Sequence, residues 1–416
     1  MYQPQVAIIG GGMITHDQLL PSIYQMQRQG RVGEISVCAL NLKTIRALAG
    51  APGILRAFPG QSFRPYPDSG DPDQACPDLY RDVIASLPPR QVVVTAVPDQ
   101  MHYDVIMTAL RHDQHVLTVK PLVLRHSQAV EIEREALRRG LVVGVEYHKR
   151  FDDRSFLARR KYREGHFGEF KLGTAALLEK WYYRHSNFQN WMTAENSDAF
   201  TYIGCHYVDL VHFITGLLPV AVSVYGIRDA FPNGKDGFLW TDARVIWDNG
   251  ACLNVQNALG FPDDAPGTNT QGITMYCKGA DLGSLISHSD QYRGLKYSYI
   301  DKPGDPGATI YAEPSTDYFQ YIDLGGPGFV PVGYGLRSVE YIVGNCIRVE
   351  NQSAAAPDPL AARQGLIGEL DAAGIMATPA NSAYNELVLE AGRASILAGG
   401  RMVEIHYGEN ARVTAS

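Results

Sequence analysis

The sequence predicts an α/β protein: a doubly wound, parallel-stranded domain followed by an α+β domain with a large, mostly antiparallel sheet. Three observations predict it. Short apolar runs at residues 6–9, 35–40, 91–96, 115–119 and 141–146 alternate with helical periods, the pattern of βαβ units. Beyond residue 151 the runs lengthen and alternate apolar with polar side chains, as half-buried antiparallel strands do. Two of those runs, 241–247 and 251–258, flank Asp248-Asn249-Gly250, where Asn-Gly supplies the positive φ values of a type I′ hairpin turn.

Element by element, the first domain spans 1–150. Its strand at 6–9 runs into three glycines and then a helix over 17–27. A second strand at 35–40 precedes a helix through 44–48, and a Pro- and Gly-rich stretch over 50–75 carries a weak strand at 62–66. The run Gln91-Val92-Val93-Val94-Thr95-Ala96 is the clearest buried parallel strand. A helix at 103–111, a strand at 115–119, a helix at 127–139 and a strand at 141–146 complete the sheet. The second domain, 151–380, opens with a helix at 155–164 and adds strands at 170–178, 221–225, 273–278 and 297–300 around the hairpin. A closing segment, 381–416, holds a helix at 382–397 that stops at Gly399-Gly400, as a C-terminal glycine cap does.

Composition narrows the function. The 416 residues carry 37 Lys+Arg and 44 Asp+Glu, a net charge of −7, which argues against a nucleic-acid partner that needs a basic surface. No apolar run approaches the roughly 18–20 residues of a membrane helix, and no basic leader precedes the first strand, so a cytoplasmic protein is expected. Cys38, Cys76, Cys205, Cys252, Cys277 and Cys346 are scattered and form no CxxC pair, so neither a metal site nor a disulfide framework is expected.

Gly10-Gly11-Gly12 directly after the first strand is the place for a tight turn that lets backbone N–H groups approach a pyrophosphate at a helix N-terminus. That makes the first domain a Rossmann-type dinucleotide-binding domain. Gly10, Gly12, Met13 and Ile14 are its candidate phosphate contacts. The third glycine of the fingerprint is absent, and Thr15 stands in its place. At the end of the second strand an acid would bind a ribose 2′-hydroxyl. Here Asn41 can hydrogen-bond that hydroxyl while Lys43 or Arg46 can meet a 2′-phosphate, so the cofactor is NAD or NADP.

Further along, Ala96-Val97-Pro98 with His102 ends the fourth strand, and Thr118-Val119-Lys120-Pro121-Leu122 ends the fifth. Downstream lie Arg150-Phe151, Gly204-Cys205-His206-Tyr207-Val208-Asp209 and Gly400-Arg401-Met402-Val403-Glu404. In order and spacing these segments resemble the glucose–fructose oxidoreductase / inositol dehydrogenase (Gfo/Idh/MocA) family over nearly the whole chain. Two positions depart from the family pattern. Val119 replaces the Glu of Glu-Lys-Pro, and Tyr202 stands where the family has an Asp four residues before the His.

The resemblance implies an NAD(P)-dependent oxidoreductase acting on a secondary alcohol of a sugar, polyol or sugar derivative, with Lys120 and His206 handling the proton. Histidine suits that task because its unperturbed pKa of about 6.5 lies near working pH. A lysine ammonium favours a developing alkoxide. Tyr202 or Asp209 would orient His206 in place of the missing acid. Ala96, Val97, Pro98 and His102 would line the cofactor, with Lys120. Each also has a plainer reading: Lys120 as a solvated strand-end lysine, His206 as a core histidine, Asp209 as a first-turn helix acid, His102 as a packing residue.

Softer candidates for substrate contact, beside His206, are Tyr147 and His148 after the sixth strand and the aromatic, basic cluster of Trp181, Tyr183 and Arg184. Aromatic faces stack on sugar rings, and Arg or His donate to hydroxyls. Two other functions carry the same resemblance: a glycosidase that oxidises its sugar transiently and re-reduces it, and a non-catalytic sugar or nucleotide sensor. A homodimer or homotetramer is the assembly implied.

Overall fold

The computed structural model describes residues 2–415 except 266–268, 281, 290–291, 300–308 and 315–316, and the backbone alone of 292–299 and 309–314. Its contacts divide it into two compact units. One holds Met1–Phe151 and Phe319–Glu386, the other Asp152–Tyr318 and Leu387–Ser416. Residues 319–380, read from the sequence as part of the second domain, thus group with the first unit, and 387–416 with the second.

In the first unit, strands β1 (Val6–Ile9), β2 (Ile35–Cys38), β3 (Arg64–Tyr66), β4 (Val92–Thr95), β5 (His115–Val119) and β6 (Val143–Glu146) form one sheet in the order β3-β2-β1-β4-β5-β6. All five pairings are parallel. This is the doubly wound order whose strand sequence reverses at β1, the switch point where such sheets bind ligands beyond the strand C-termini. Every residue of β1, β2, β4 and β6 is buried, because helices cover both faces. The helices α1 (Leu20–Arg28), α2 (Leu42–Ala49), α3 (Pro52–Ala57), α4 (Leu79–Ala85), α5 (His102–Arg111) and α6 (His126–Arg139) include two, α3 and α4, that the sequence reading did not mark.

A larger omission is the 20-residue helix Tyr334–Ser353. Its apolar positions Val339, Ile342, Val343, Cys346 and Val349 recur at helical spacing and are buried in the same core as β1, β2 and β4. It lies close over β6: a Cβ built at Gly144 would come 2.5 Å from Ile342 Cγ2. Tertiary packing therefore ties this late segment to the first sheet.

That helix also closes a buried polar pair. His115 of β5 is fully buried, its Nδ1 accepts from Val142 N at 3.0 Å, and its Nε2 lies 3.0 Å from a Glu350 carboxylate oxygen. With Nδ1 accepting, Nε2 carries the proton and donates to Glu350. Burial holds the His115 pKa below its ordinary value. Below about pH 6.5 the unfolded chain then binds a proton that the folded chain refuses, so stability falls as pH drops through that value toward the lower folded pKa. The expected slope from this residue is at most about 1.4 kcal/mol per pH unit. Urea unfolding of wild type and His115→Gln between pH 7.5 and 5 checks it: the variant should lose that part of the slope.

In the second unit, strands β7 (Phe170–Lys180), β8 (Pro219–Ala230), β9 (Asp236–Trp247), β10 (Cys252–Phe261), β11 (Asn269–Cys277) and β12 (Ser284–His288) join Val403–His406 and Arg412–Ala415 in an eight-stranded sheet. Only the β7–β10 pairing is parallel. Along β9 buried and less buried residues alternate, which puts Leu239, Ala243, Val245 and Trp247 on the covered face. The predicted strand at 297–300 falls within Tyr292–Tyr299 up to Tyr299, and Ile300 lies outside the described residues. Helices α7 (Asp153–Arg163), α8 (Tyr183–Ser186) and α9 (Cys205–Thr215) belong to this unit.

The β9–β10 hairpin forms where Asn249-Gly250 predicts it, with a different turn. Only Gly250 has positive φ, at +78°, and Gly250 N donates to Trp247 O at 2.8 Å. Asn249 keeps a negative φ while its amide Nδ2 donates to Phe170 O and its Oδ1 accepts from Ala251 N. Those side-chain bonds favour a longer loop with one left-handed residue over a two-residue type I′ turn. Helix Tyr384–Leu397 ends as expected, with Gly399 and Gly400 at φ +71° and +89°.

Candidate active site

The glycine turn closes on the neighbouring strand. Gly10 has φ +115°, and its N donates to Cys38 O at 2.8 Å. A Cβ there would lie 2.0 Å from Ala96 O, so the turn demands glycine. Gly12 is different: it is exposed, has no positive φ, and a Cβ there would meet nothing within 4 Å. The helix begins at Met13 and Ile14, both half-buried, and its Thr15–Leu19 stretch is a π-turn before α1. Thr15 is buried, and its hydroxyl donates to Gly10 O at 2.7 Å. The residue in the third-glycine place thus pins the turn by a hydrogen bond. The open space over Gly12, next to first-turn N–H groups that no helical carbonyl reaches, suits an anionic diphosphate.

Asn41 caps α2: its Oδ1 accepts from Thr44 N and Thr44 Oγ1, both at 2.9 Å. Only its amide N–H groups are left to offer a ribose oxygen. Lys43 is exposed and pairs with Asp73 at 3.2 Å, and its backbone N donates to Pro72 O. Around the corner, Val97 and Pro98 are half-buried and Ala96 is buried at the end of β4. His102 is fully buried, with Nδ1 2.7 Å from Pro121 O and Nε2 2.9 Å from Val97 O. It ties the ends of β4 and β5 together, the packing role, directly beside the predicted cofactor residues. Lys120 is half-buried and precedes a cis Lys120-Pro121 bond.

At the end of β6, the structure adds a carboxylate that the sequence reading passed over. Glu146 is 2% exposed and pairs across the ladder with Val119, the residue before Lys120. One of its oxygens accepts from Gln18 Nε2 at 2.8 Å and Ser338 Oγ at 2.5 Å, and the other lies 3.1 Å from His148 Nδ1. The signal was a charged residue ending a strand otherwise wholly apolar. Tyr147 is buried, with its hydroxyl accepting from Asn385 Nδ2 at 2.9 Å, so it is packed rather than presented.

In the second unit, His206 and Asp209 lie on α9, 6% and 1% exposed. A π-turn, Phe200–Gly204, leads into that helix. Buried Asp198 sets it by accepting from Thr201 N at 2.8 Å and Thr201 Oγ1 at 3.0 Å. Burial pushes the Asp198 pKa up. Tyr202 sits in the π-turn, half-buried, its ring edge-on to Phe188 at 4.9 Å and 5.5 Å from Trp191. Trp181 is 41% exposed, 6.2 Å from Trp240, and carries the Arg184 guanidinium 3.8 Å over its face. Arg184 also donates to Ala230 O, and Tyr183 packs on Tyr182 and Phe188. The predicted aromatic cluster is therefore real, with Arg184 engaged inside it. A polar groove of about 680 Å³ elsewhere in this unit, lined by Asp242, Arg244, Asn254 and Gln256 among others, holds none of the predicted residues.

Among the described residues, no group of three His, Cys, Asp or Glu is placed to hold a metal. Among them, too, no helix is long and apolar enough to cross a membrane.

Residues 5–147 match the family described as oxidoreductase, NAD-binding Rossmann fold. Over 225 residues the chain is 26% identical to the D-glucoside 3-dehydrogenase of Escherichia coli strain K12, covering 53% of this chain and 56% of that protein. It is 23% identical over 134 residues to the 2,7-anhydro-N-acetylneuraminate hydratase of the same strain, covering 32% and 36%. The chain thus matches at most a little over half the length of these curated relatives. Among solved structures, GenD2 from gentamicin A biosynthesis in complex with NAD shares the fold at TM-score 0.65 and 17% identity, covering 98% of this chain and 97% of that one. The myo-inositol 2-dehydrogenase of Lactobacillus plantarum does so at TM-score 0.62 and 14% identity, covering 97% and 100%. Residues 5–147, built around the glycine turn and the six parallel strands, form an NAD-binding Rossmann domain of the Gfo/Idh/MocA oxidoreductase family.

Proposed function

We propose that the protein is an NAD-dependent dehydrogenase that oxidises a secondary alcohol of a sugar, polyol or sugar derivative. The observation that carries this reading is the Gly10–Gly12 turn at the reversal point of the sheet, shaped to leave room over Gly12. Bound NAD supplies the acceptor, nicotinamide C4, for the hydride that leaves the carbinol carbon. Lys120 favours the developing alkoxide, and His206 takes the hydroxyl proton, so the carbinol becomes a ketone. NAD is preferred to NADP because Lys43, after β2, is already engaged by Asp73 at the surface. Similarity to a D-glucoside 3-dehydrogenase supports the substrate class. The protein acts in the cytoplasm, where its six free cysteines stay reduced, as a homodimer or homotetramer, which sedimentation would measure.

Purified protein incubated with NAD or NADP and a panel of glycosides, free sugars and inositols tests the reading. Nicotinamide absorbance and aglycone release are followed together. Absorbance should rise with NAD and a free hydroxyl substrate. Aglycone release without net absorbance change would replace the dehydrogenase by a glycosidase, and ligand binding without either would replace it by a sensor.

Tyr202 tunes this reaction. A carboxylate near an imidazole favours the protonated ring, whereas a phenol does not. Tyr202→Asp should therefore move the acid limb of the oxidation pH profile to higher pH. Tyr202→Phe should leave that limb in place and keep the contacts with Phe188 and Trp191. An unmoved profile in Tyr202→Asp would restrict Tyr202 to its place in the aromatic cluster.

A further inference from the structure

We infer that Gln18 and Glu146 are positioning residues for the dinucleotide: the pair holds the π-turn Thr15–Leu19 in shape and so aims the N–H groups at the start of the helix toward the diphosphate. The inference rests on the placement of the cofactor at the glycine turn and adds the side chains that set that turn's geometry. A π-turn is rare, and it occurs mostly as a single turn inside a helix, frequently at functional sites. Here Leu20 N donates to Thr15 O, one residue further back than in an α-helix. The backbone alone favours the α-helical bond, so side-chain contacts must hold the wider turn. Thr15 Oγ1 donates to Gly10 O at 2.7 Å, which ties its first residue to the glycine turn. Gln18, fully buried, ties its far side: Nε2 donates to Glu146 at 2.8 Å and to Gly335 O at 3.0 Å. Glu146 is itself fixed, because Ser338 Oγ donates to the same oxygen. It ends β6 in register with Val119, and partners in a parallel ladder share a face of the sheet. Val119 packs on the core that holds Leu20, Ile23 and Val339. The Glu146 carboxylate thus stands on that face beside the place where the Glu-Lys-Pro acid is missing. Released from Glu146, the segment would relax to α-helical bonding, which turns the helix start by about 100°, the rotation of one residue. The N–H groups of Met13 and Ile14 would then turn away from the space over Gly12.

Calorimetry with NAD and with ADP-ribose, which keeps the diphosphate and lacks the nicotinamide, tests the inference. Gln18→Leu and Glu146→Leu should each weaken both ligands about tenfold, the loss of one buried hydrogen bond passed on to binding. The double variant should be no worse than the weaker single variant, because both substitutions break the same bond. His115→Leu is the control. It removes a buried donor at the N-terminal end of β5, away from the turn. Its melting temperature should fall while both affinities stay within about twofold of wild type. In the protein without ligand, the amide chemical shifts of Met13 and Ile14 should move in Gln18→Leu and Glu146→Leu and stay in place in His115→Leu. Gln18→Met, with a side chain of similar length, repeats the measurement should the leucine variants fail to fold. Unchanged affinities in the Gln18 and Glu146 variants overturn the inference even where the melting temperature falls, and so does a loss confined to NAD. A wild type that binds neither NAD nor ADP-ribose strikes the cofactor placement instead, and the Met13 and Ile14 shifts still decide whether Gln18 and Glu146 set the turn.

Discussion

Replacing Gly12 with leucine is expected to abolish NAD binding while leaving the fold intact. The backbone there needs no glycine, and a Cβ meets nothing within 4 Å. Exposed substitutions of this kind usually change stability by no more than about 0.5 kcal/mol. The leucine side chain instead fills the space where the diphosphate would lie against the start of the helix. Calorimetry should detect no NAD binding, with a melting temperature close to wild type. Gly10→Ala is the contrasting case. Its φ of +115° and a Cβ 2.0 Å from Ala96 O force the ends of β1 and β4 apart. Strained φ alone costs about 1–3 kcal/mol, before the overlap is counted. Gly10→Ala should therefore lose stability as well as NAD binding. Unchanged NAD affinity in Gly12→Leu would remove the dinucleotide from this turn.

The second large effect is on turnover. His206→Ala should lower kcat by about 10²–10⁴-fold, the usual cost of losing a general base. NAD affinity should hardly move, since the glycine turn and the ends of β4 and β5 are untouched. Its position in the first turn of α9, reached through the turn that Asp198 sets, gives the ring a fixed backbone. Lys120→Met should also reduce kcat, by removing the charge that favours the alkoxide. Stopped-flow measurement of absorbance at saturating NAD checks both. Near-normal turnover in His206→Ala would return that residue to the core-histidine reading.

Much of this was legible before the structure. Val6–Ile9 followed by three glycines defined a strand, a turn and a helix by local rules, and the structure places them so. The parallel strand β4 stood out as an unbroken β-branched run, because a strand covered on both faces shows no polar alternation. Thr15 was legible as a departure, but its compensation was not, since the bond to Gly10 O depends on the π-turn. Helix Tyr334–Ser353 was missed although its apolar spacing was present, because the stretch before it lacked a clear start signal: Gly333 precedes it at φ +121° with no capping side chain.

What the sequence determined by itself is therefore what rests on neighbours in the chain: strand and helix type, the glycine turn, the hairpin at Asn249-Gly250, and the order of residues that marks the family. The tertiary structure alone decided what rests on distant partners. Residues 319–386 joined the first unit because the apolar face of Tyr334–Ser353 is buried in its core. His102 became a clasp between two strand ends once Val97 and Pro121 were brought to either side of its ring. Glu146 acquired its meaning from Gln18 and Ser338, 128 and 192 residues away. Local conformation is written in dihedral preference and periodicity. A buried polar group's role is written in whichever donors the fold carries to within 3 Å of it, and no spacing in the chain encodes that.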